Sequence, residues 1–119
     1  MKTVVIFFLW LISLTLPFYI SAADIQAGKA KSATCAACHG GNGVSAVDSY
    51  PNLAGQHADY IIKQLQNFKS GERQNVMMAS MAAALSDEDM ADLAAYYANF
   101  SRDGKPLTKT TEEDVAVAT

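Results

Sequence analysis

The amino-acid sequence predicts an all-α fold with three main helices. Residues 24–100 contain no run that alternates polar and apolar side chains over the length of a strand. Apolar residues instead recur at helical spacing in three segments, and loops that contain glycine or proline separate these segments. These two observations argue against a sheet as the framework of the domain.

The first helix is predicted over residues 24–36. Asp24 lies at its start, where a negative charge interacts favourably with the helix dipole. The glycine-rich run at residues 40–43 follows the segment, and we expect it to be flexible backbone. It is not a phosphate-binding loop, because no strand precedes it and no Gly-Lys-Ser/Thr sequence ends it.

The second helix is predicted over residues 57–70 and the third over residues 86–100. Gly71 supplies the stop for the second helix, whose apolar face consists of Ile61, Leu65 and Phe68. A capping-box pattern begins the third helix. The apolar stripe of the third helix consists of Met90, Leu93, Ala94 and Tyr97, with Tyr96 beside it.

The sequence divides into three parts. Residues 1–23 have the pattern of a secretory signal peptide, with a positively charged start, an apolar stretch and a small-residue cleavage site at residues 21–23. Residues 24–100 form a single small domain, and residues 101–119 are polar with no periodic apolar face, so we expect a mobile tail. The alternative for the first part is an uncleaved membrane anchor, because residues 4–20 approach the length that spans a bilayer.

The run Cys35-Ala36-Ala37-Cys38-His39 indicates covalent attachment of one haem c. Two thiols one helical turn apart can add to the two vinyl groups of a porphyrin, and the imidazole that follows can reach the iron as proximal ligand. A covalently bound haem also supplies a large apolar centre for so small a domain. Cys35 and Cys38 are therefore the expected attachment residues, and His39 is the expected axial ligand.

Three other uses of the two cysteines are weaker. A structural zinc site takes four ligands, and the chain has only two cysteines and two histidines to supply them. A thioredoxin-like redox pair follows a strand, which the sequence does not predict here, and it leaves His39 without a role. A structural disulfide in an exported domain leaves both the histidine and the downstream methionines unexplained.

The second axial ligand of the iron is expected to be a methionine. A thioether opposite an imidazole favours the ferrous state and raises the reduction potential. Met90 is assigned to the core because it lies on the apolar stripe of the third helix. Met77, Met78 and Met81 remain, in or just after the loop at residues 71–76, and their spacing alone does not choose among them.

The chain resembles a bacterial class I c-type cytochrome, in particular a single haem domain of the dihaem "c-four" type and its monohaem relatives. The segments that carry the resemblance are Gly28-Lys29-Ala30, Cys35-Ala36-Ala37-Cys38-His39-Gly40, Pro51-Asn52-Leu53-Ala54-Gly55-Gln56, Tyr60-Ile61-Ile62-Lys63-Gln64-Leu65, Phe68-Lys69-Ser70-Gly71, Met77-Met78, Leu85-Ser86-Asp87 and Leu93-Ala94-Ala95-Tyr96-Tyr97. The resemblance covers residues 24–100. It implies the cytochrome c fold, with the three main helices packed around one covalently attached haem.

The resemblance also implies roles for particular residues. In that family the ligand methionine lies seven residues before the leucine of the Leu-Ser-Asp motif, which is Met78 here, with Met77 as the chief alternative and Met81 assigned to the core. Pro51 corresponds to the proline whose carbonyl accepts the remaining N–H of the proximal imidazole. The first and last helices are expected to cross at Gly28, which leaves room for an aromatic side chain.

Composition and resemblance together limit the function. The chain has 9 basic and 12 acidic residues with no basic cluster, which argues against a nucleic-acid partner. The resemblance implies a monohaem one-electron carrier rather than an enzyme, exported to the periplasm, with a low-spin haem ligated by histidine and methionine. The alternative is a haem-binding sensor or catalytic subunit with a labile sixth ligand.

The expected partners follow from the same resemblance. They are redox proteins such as membrane respiratory complexes, which a carrier meets through a small apolar patch around the haem edge. The protein is expected to contact the membrane only through these partners, unless the signal peptide is retained as an anchor. The protein is expected to be a monomer or a homodimer.

Overall fold

The structure is a computed structural model that describes residues 22–107. Its helices, in chain order, are α1 (Ile25–Lys31), α2 (Ala33–His39), α3 (Ala58–Ser70), α4 (Val76–Ala83) and α5 (Asp87–Ala98). The only β-type pairing within these residues is an isolated bridge between Phe100 and Pro106. The predicted all-α fold class is confirmed, with two more helices than the sequence predicted.

The predicted signal peptide lies almost wholly outside the described residues. Among the helices of residues 22–107, none has the length and apolar character needed to cross a membrane.

The single helix predicted over residues 24–36 is divided into α1 and α2 at Ser32. The Ser32 hydroxyl donates to the Lys29 carbonyl oxygen at 2.8 Å, a local side-chain bond that competes with the helical pattern. The backbone N–H of Ser32 still donates to the Gly28 carbonyl, so the direction of the chain is nearly preserved. Helix α2 runs three residues beyond the predicted end, because the positive φ of 83° at Gly40 terminates it only after His39.

Helices α1 and α5 pack closely at Gly28. A Cβ atom at this position would lie 2.1 Å from the Asp92 carbonyl oxygen and 2.8 Å from Cβ of Tyr96, so the crossing requires glycine. The buried Asp92 carboxylate binds both ends of α1: it accepts from the Asp24 backbone N–H at 2.7 Å and from Lys31 Nζ at 2.6 Å. The close approach expected at Gly28 is present, with Tyr96 as the neighbouring aromatic.

Helix α5 is the centre of the core. It packs against α1 and α3, and α3 in turn packs against α4. The predicted stripe of α5 is buried. The Tyr96 ring packs edge to face against Tyr97 and against Phe100, just beyond the helix, at 5.1 Å from each ring. The main cluster of buried residues consists of Ala54, Ile61, Leu93, Ala94, Tyr96, Tyr97 and Phe100.

Helix α4 was not predicted, because its sequence carries no polar face. The segment Val76–Ala83 contains only apolar residues and one serine, so no helical periodicity distinguishes it from a loop. Its start is fixed by Asn75, whose side-chain oxygen accepts the Met78 backbone N–H at 2.9 Å. The three candidate methionines therefore lie on one short helix.

The predicted mobile tail does not begin at Ser101. Residues 101–107 fold back on the domain: the Ser101 N–H donates to the Lys105 carbonyl at 2.8 Å, and the Leu107 N–H donates to the Asn99 carbonyl at 2.8 Å. Gly104 is buried, and its carbonyl accepts from Nδ2 of Asn42 at 3.2 Å. The polar composition of this segment could not predict these backbone hydrogen bonds. The rest of the predicted tail, residues 108–119, lies outside the described residues.

Candidate haem-binding site

The imidazole of His39 is buried at the end of α2 and held by one backbone acceptor. Only 6% of the residue is exposed, and Nδ1 lies 2.7 Å from the carbonyl oxygen of Pro51. Because a carbonyl oxygen can only accept, Nδ1 carries the proton, and Nε2 keeps its lone pair. An imidazole held in this way presents Nε2 in a fixed orientation, as a metal-binding histidine requires.

The two cysteines precede this imidazole on the same helix. Cys35 and Cys38 are both free thiols and both half-buried, and they lie one turn apart on α2. No group of three or more His, Cys, Asp or Glu side chains within residues 22–107 is arranged to hold a metal ion.

The loop from Gly40 to Pro51 brings the proline carbonyl to the histidine. The Gly43 carbonyl accepts from the backbone N–H groups of Leu53 at 2.7 Å and Ala54 at 3.0 Å. A Cβ atom at Gly43 would lie 2.6 Å from the Ala54 nitrogen, and its φ of 79° favours glycine. The glycine-rich run that the sequence suggested to be flexible is therefore a tight, hydrogen-bonded turn.

A second contact fixes this loop beside the thiols. The Ser45 hydroxyl donates to the Cys38 carbonyl oxygen at 3.0 Å, and the Ser45 N–H donates to the side-chain oxygen of Asn52 at 2.7 Å. The loop is thus anchored both to the end of α2 and to the segment that follows Pro51.

The structure brings together four of the five predicted site residues. Cys35, Cys38 and His39 share α2, and Pro51 contacts His39. Met78 lies apart from them on α4, which packs against α3 and makes no helix contact with α2.

Met78 differs from the other two methionines of α4 in its exposure. Met77 is 53% exposed and Met81 is 48% exposed, whereas Met78 is partly buried. The Asn75 cap holds the backbone of Met78 in the first turn of the helix. Among the three candidates, Met78 is the least exposed residue.

Sequence reasoning missed the hydroxyl of Tyr97. Tyr97 is 1% exposed, and its buried hydroxyl has no hydrogen-bond partner within residues 22–107. Burial raises the pKa of this hydroxyl, and the neighbouring Cys35 thiol raises it further. The only sign of this buried hydroxyl in the sequence was that the apolar stripe of the helix carries a tyrosine rather than a phenylalanine at position 97.

An all-helical domain with two free thiols one turn apart, followed directly by a buried and oriented imidazole, defines a protein that attaches haem covalently. The residues fit this group, because His39 offers a free Nε2 and Cys35 and Cys38 offer unpaired thiols. The chain belongs to the cytochrome c family, whose sequence model matches residues 25–101. Its cofactor is therefore covalently attached haem c, and the family consists of electron-transfer proteins that exchange electrons with redox partners.

Individual relatives agree with this assignment. The chain is 46% identical over 79 residues to cytochrome c4 of Pseudomonas aeruginosa, a match that covers 66% of this chain and 39% of that protein. It is 44% identical over 81 residues to cytochrome c-554(548) of Halomonas halodenitrificans, covering 66% of this chain and 98% of that protein. The chain thus spans about two fifths of the cytochrome c4 sequence and nearly all of the shorter cytochrome.

A solved structure shows the same fold. Reduced recombinant cytochrome c4 from Pseudomonas stutzeri superposes with a TM-score of 0.64 at 40% sequence identity, covering 67% of this chain and 47% of that one. The implied cytochrome c fold is confirmed. The relationship to cytochromes c of the c4 type, implied by the sequence motifs, is confirmed as well.

Proposed function

We propose that this chain is a monohaem one-electron carrier that works between exported or membrane-bound redox partners. The observation that carries the proposal is the buried His39 imidazole, held by Pro51 at 2.7 Å directly after two free thiols. The presence of a single attachment motif supports one haem per chain. The Halomonas relative, which this domain covers almost completely, supports a single domain of this kind as sufficient for a cytochrome.

Each side chain of the site holds the cofactor in a different way. Haem c, when bound, supplies an iron centre that gains and loses one electron. Cys35 and Cys38 fix it covalently, and His39 offers Nε2 on one side. The Pro51 carbonyl prevents rotation of the imidazole and makes Nε2 a better donor, because the hydrogen bond from Nδ1 leaves more electron density on the ring.

Met78 is the proposed second axial ligand. Its partial burial, in contrast to the exposed Met77 and Met81, supports this choice, as does the spacing to Leu85 implied by the family resemblance. A thioether that stayed on the iron in both redox states would keep reorganisation of the protein small during electron transfer. The Met78 side chain would also keep water and other ligands from that position.

The proposal is tested by replacing each methionine of α4 in the holoprotein. In Met78→Ala we expect loss of the weak near-infrared sulfur-to-iron band, a lower reduction potential, and binding of carbon monoxide by the reduced protein. Met77→Ala and Met81→Ala are matched controls, because they remove the same side chain from the same helix and should keep the band. Loss of the band in Met77→Ala instead would assign the ligand to Met77.

The same experiment separates the carrier from a haem sensor or catalytic subunit. The unmodified reduced protein should bind carbon monoxide slowly or not at all, because its sixth position is filled. Rapid binding by the unmodified protein, with the sulfur-to-iron band absent, would overturn the carrier proposal and favour a labile sixth ligand.

We also infer that residues 1–23 direct the chain to the periplasm and are then removed, so that the mature chain begins at Asp24. The proposed partners are redox proteins such as membrane respiratory complexes, and the proposed state in solution is a monomer or a homodimer. N-terminal sequencing of protein purified from the periplasmic fraction tests the first statement. Retention of residues 1–23 on a membrane-bound product would contradict it.

A further inference from the structure

Asp92 is a buried carboxylate that binds the first residue of the proposed mature chain. The residue is 3% exposed, and its Oδ1 accepts the backbone N–H of Asp24 at 2.7 Å. This hydrogen bond and the one from Lys31 lower the pKa of Asp92, so the carboxylate is ionised at neutral pH. A buried negative charge destabilises the folded state unless a positive charge faces it.

One cation is shared between two carboxylates at this contact. Lys31 Nζ lies 2.6 Å from Oδ2 of Asp92 and 2.8 Å from Oδ1 of Asp89. The hydrogen bond to the other oxygen of Asp92 comes from the Asp24 peptide group, which carries no net charge. The Asp24 carboxylate adds a further negative charge beside the first backbone N–H groups of α1. Negative charge therefore exceeds positive charge where α1 meets α5.

Removal of the signal peptide changes the chemistry of the nitrogen in this contact. Hydrolysis of the peptide bond between Ala23 and Asp24, both exposed, consumes one water molecule and yields a carboxylate on Ala23 and an ammonium group on Asp24. The ordinary pKa of an α-amino group is about 7.7–8.0, so the group is mostly protonated at pH 7. The nitrogen that donates one N–H to Asp92 then carries a full positive charge and three donors.

We propose that the Asp92 carboxylate is the binding site for the N-terminal ammonium group that processing creates at Asp24. The ion pair needs no rearrangement, because the nitrogen already lies at hydrogen-bonding distance from Oδ1. It supplies positive charge to the contact between α1 and α5, and it fixes the start of α1, the helix that leads into the haem motif. This inference rests on the proposed removal of residues 1–23 and is independent of the identity of the axial ligands.

The test compares holoprotein that begins at Asp24 with holoprotein that carries one inserted alanine before Asp24. The insertion keeps a peptide N–H on Asp24 and moves the ammonium group one residue away, about 3.8 Å along the chain. Because hydrogen bonds from charged donors are stronger than those from neutral donors, we expect the insertion to raise the unfolding equilibrium constant about fivefold. Urea unfolding at pH 7 measures this constant, and intact mass confirms where each chain begins.

Two variants separate an effect of charge from an effect of added bulk. Asp92→Asn keeps an acceptor oxygen and removes the charge that faces the amino group, so the inserted alanine should change the unfolding constant less than about twofold in this variant. Asp89→Asn is the matched control, because it removes the other carboxylate bound to Lys31 and leaves the hydrogen bond of Asp24 intact. The inserted alanine should keep most of its effect in Asp89→Asn.

A second measurement requires no substitution at Asp92. Only an unprotonated amine reacts with an acylating reagent such as N-hydroxysuccinimidyl acetate. The ammonium group bound to Asp92 should therefore be acetylated about fivefold more slowly than the amino group of the chain with the inserted alanine. Peptide mass mapping distinguishes acetylation of the N-terminus from acetylation of lysine side chains.

Three results would overturn the inference. The inserted alanine could leave stability unchanged, or it could destabilise Asp92→Asn as much as the unmodified protein, and in either case Asp92 does not bind the ammonium group. Equal acetylation rates for the two chains would lead to the same conclusion, even if Asp92→Asn does not fold. Failure of the proposed processing is recognised separately, because N-terminal sequencing would then find residues that precede Asp24.

Discussion

Replacing Gly28 with alanine tests the packing of α1 against α5. The added Cβ would lie 2.1 Å from the Asp92 carbonyl oxygen and 2.7 Å from the carbonyl carbon. Ordinary contacts between such atoms are about 3.5 Å, so relieving the 2.1 Å contact requires the two helices to separate by about 1.4 Å. Backbone atoms cannot rotate away as a flexible side chain can, and the strain therefore falls on the crossing itself.

The expected cost follows from two opposing effects. Overpacking of a close contact costs about 1–3 kcal/mol, and here the upper part of that range applies because backbone is the obstacle. Alanine in place of glycine within a helix stabilises the folded state by about 0.5–1 kcal/mol. The net destabilisation is about 2 kcal/mol, which lowers the melting temperature of a domain of this size by roughly 8–16 °C.

The measurement is thermal unfolding of the holoprotein, followed by far-ultraviolet circular dichroism. Gly41→Ala is the matched control, because a Cβ at Gly41 has no heavy atom within 4 Å and should leave the melting temperature nearly unchanged. If Gly28→Ala melts at or above the temperature of the unmodified protein, the close approach of α1 and α5 is refuted.

Three further predictions concern the ends of helices and the haem motif. Ser86→Ala removes the bond from the Asp89 N–H to the Ser86 hydroxyl at the start of α5 and leaves the bond from the Ser86 backbone N–H to the Asp89 carboxylate. It should cost about 1 kcal/mol in urea unfolding, whereas Ser86→Asp should restore most of the loss. Hydrogen bonds from the Asp24 backbone N–H and from Lys31 lower the pKa of Asp92. The ionised carboxylate therefore stabilises the folded protein above the ordinary pKa of 3.8, and this stabilisation is lost as the pH falls below that value. Asp92→Asn should flatten the fall in the free energy of unfolding measured below pH 4. His39→Ala should yield no stable holoprotein in a pyridine haemochrome assay, and a normal yield would contradict the role of the imidazole.

The long α5 helix could be predicted because its local signals agree with its tertiary role. The capping box at Ser86 is present, with its hydroxyl accepting the Asp89 N–H at 3.1 Å, and the apolar stripe from Met90 to Tyr97 is buried. The same holds for α3, which begins one residue after His57 and ends at the left-handed Gly71. In both helices periodicity and stop signals point to the same structure.

Helix α4 and the turn at residues 101–107 could not be predicted for the opposite reason. An apolar helix without a polar face has no periodicity to detect, and its cap at Asn75 is a common loop residue. The turn depends on backbone bonds and on Asn42, which is distant in sequence. Both features are fixed by tertiary contacts rather than by local pattern.

The residues of the candidate site likewise fall into those that local sequence could identify and those that it could not. The spacing of Cys35, Cys38 and His39 is a local property of one helix, so the motif identified them directly. The position of Pro51 needed the family resemblance, because the loop that carries its carbonyl to His39 depends on the turn at Gly43. The buried hydroxyl of Tyr97 was missed because a tyrosine on an apolar stripe, the one signal present in the sequence, is ordinarily a packing residue.

The central claim is that this polypeptide carries one haem bound through Cys35 and Cys38. Intact mass spectrometry under denaturing conditions tests it, with protein matured in an exporting host that attaches haem. The mass should equal that of the mature chain plus one haem, and it should stay so after acid–acetone extraction, which removes haem held only by iron ligands. A mass equal to the bare polypeptide would contradict the account.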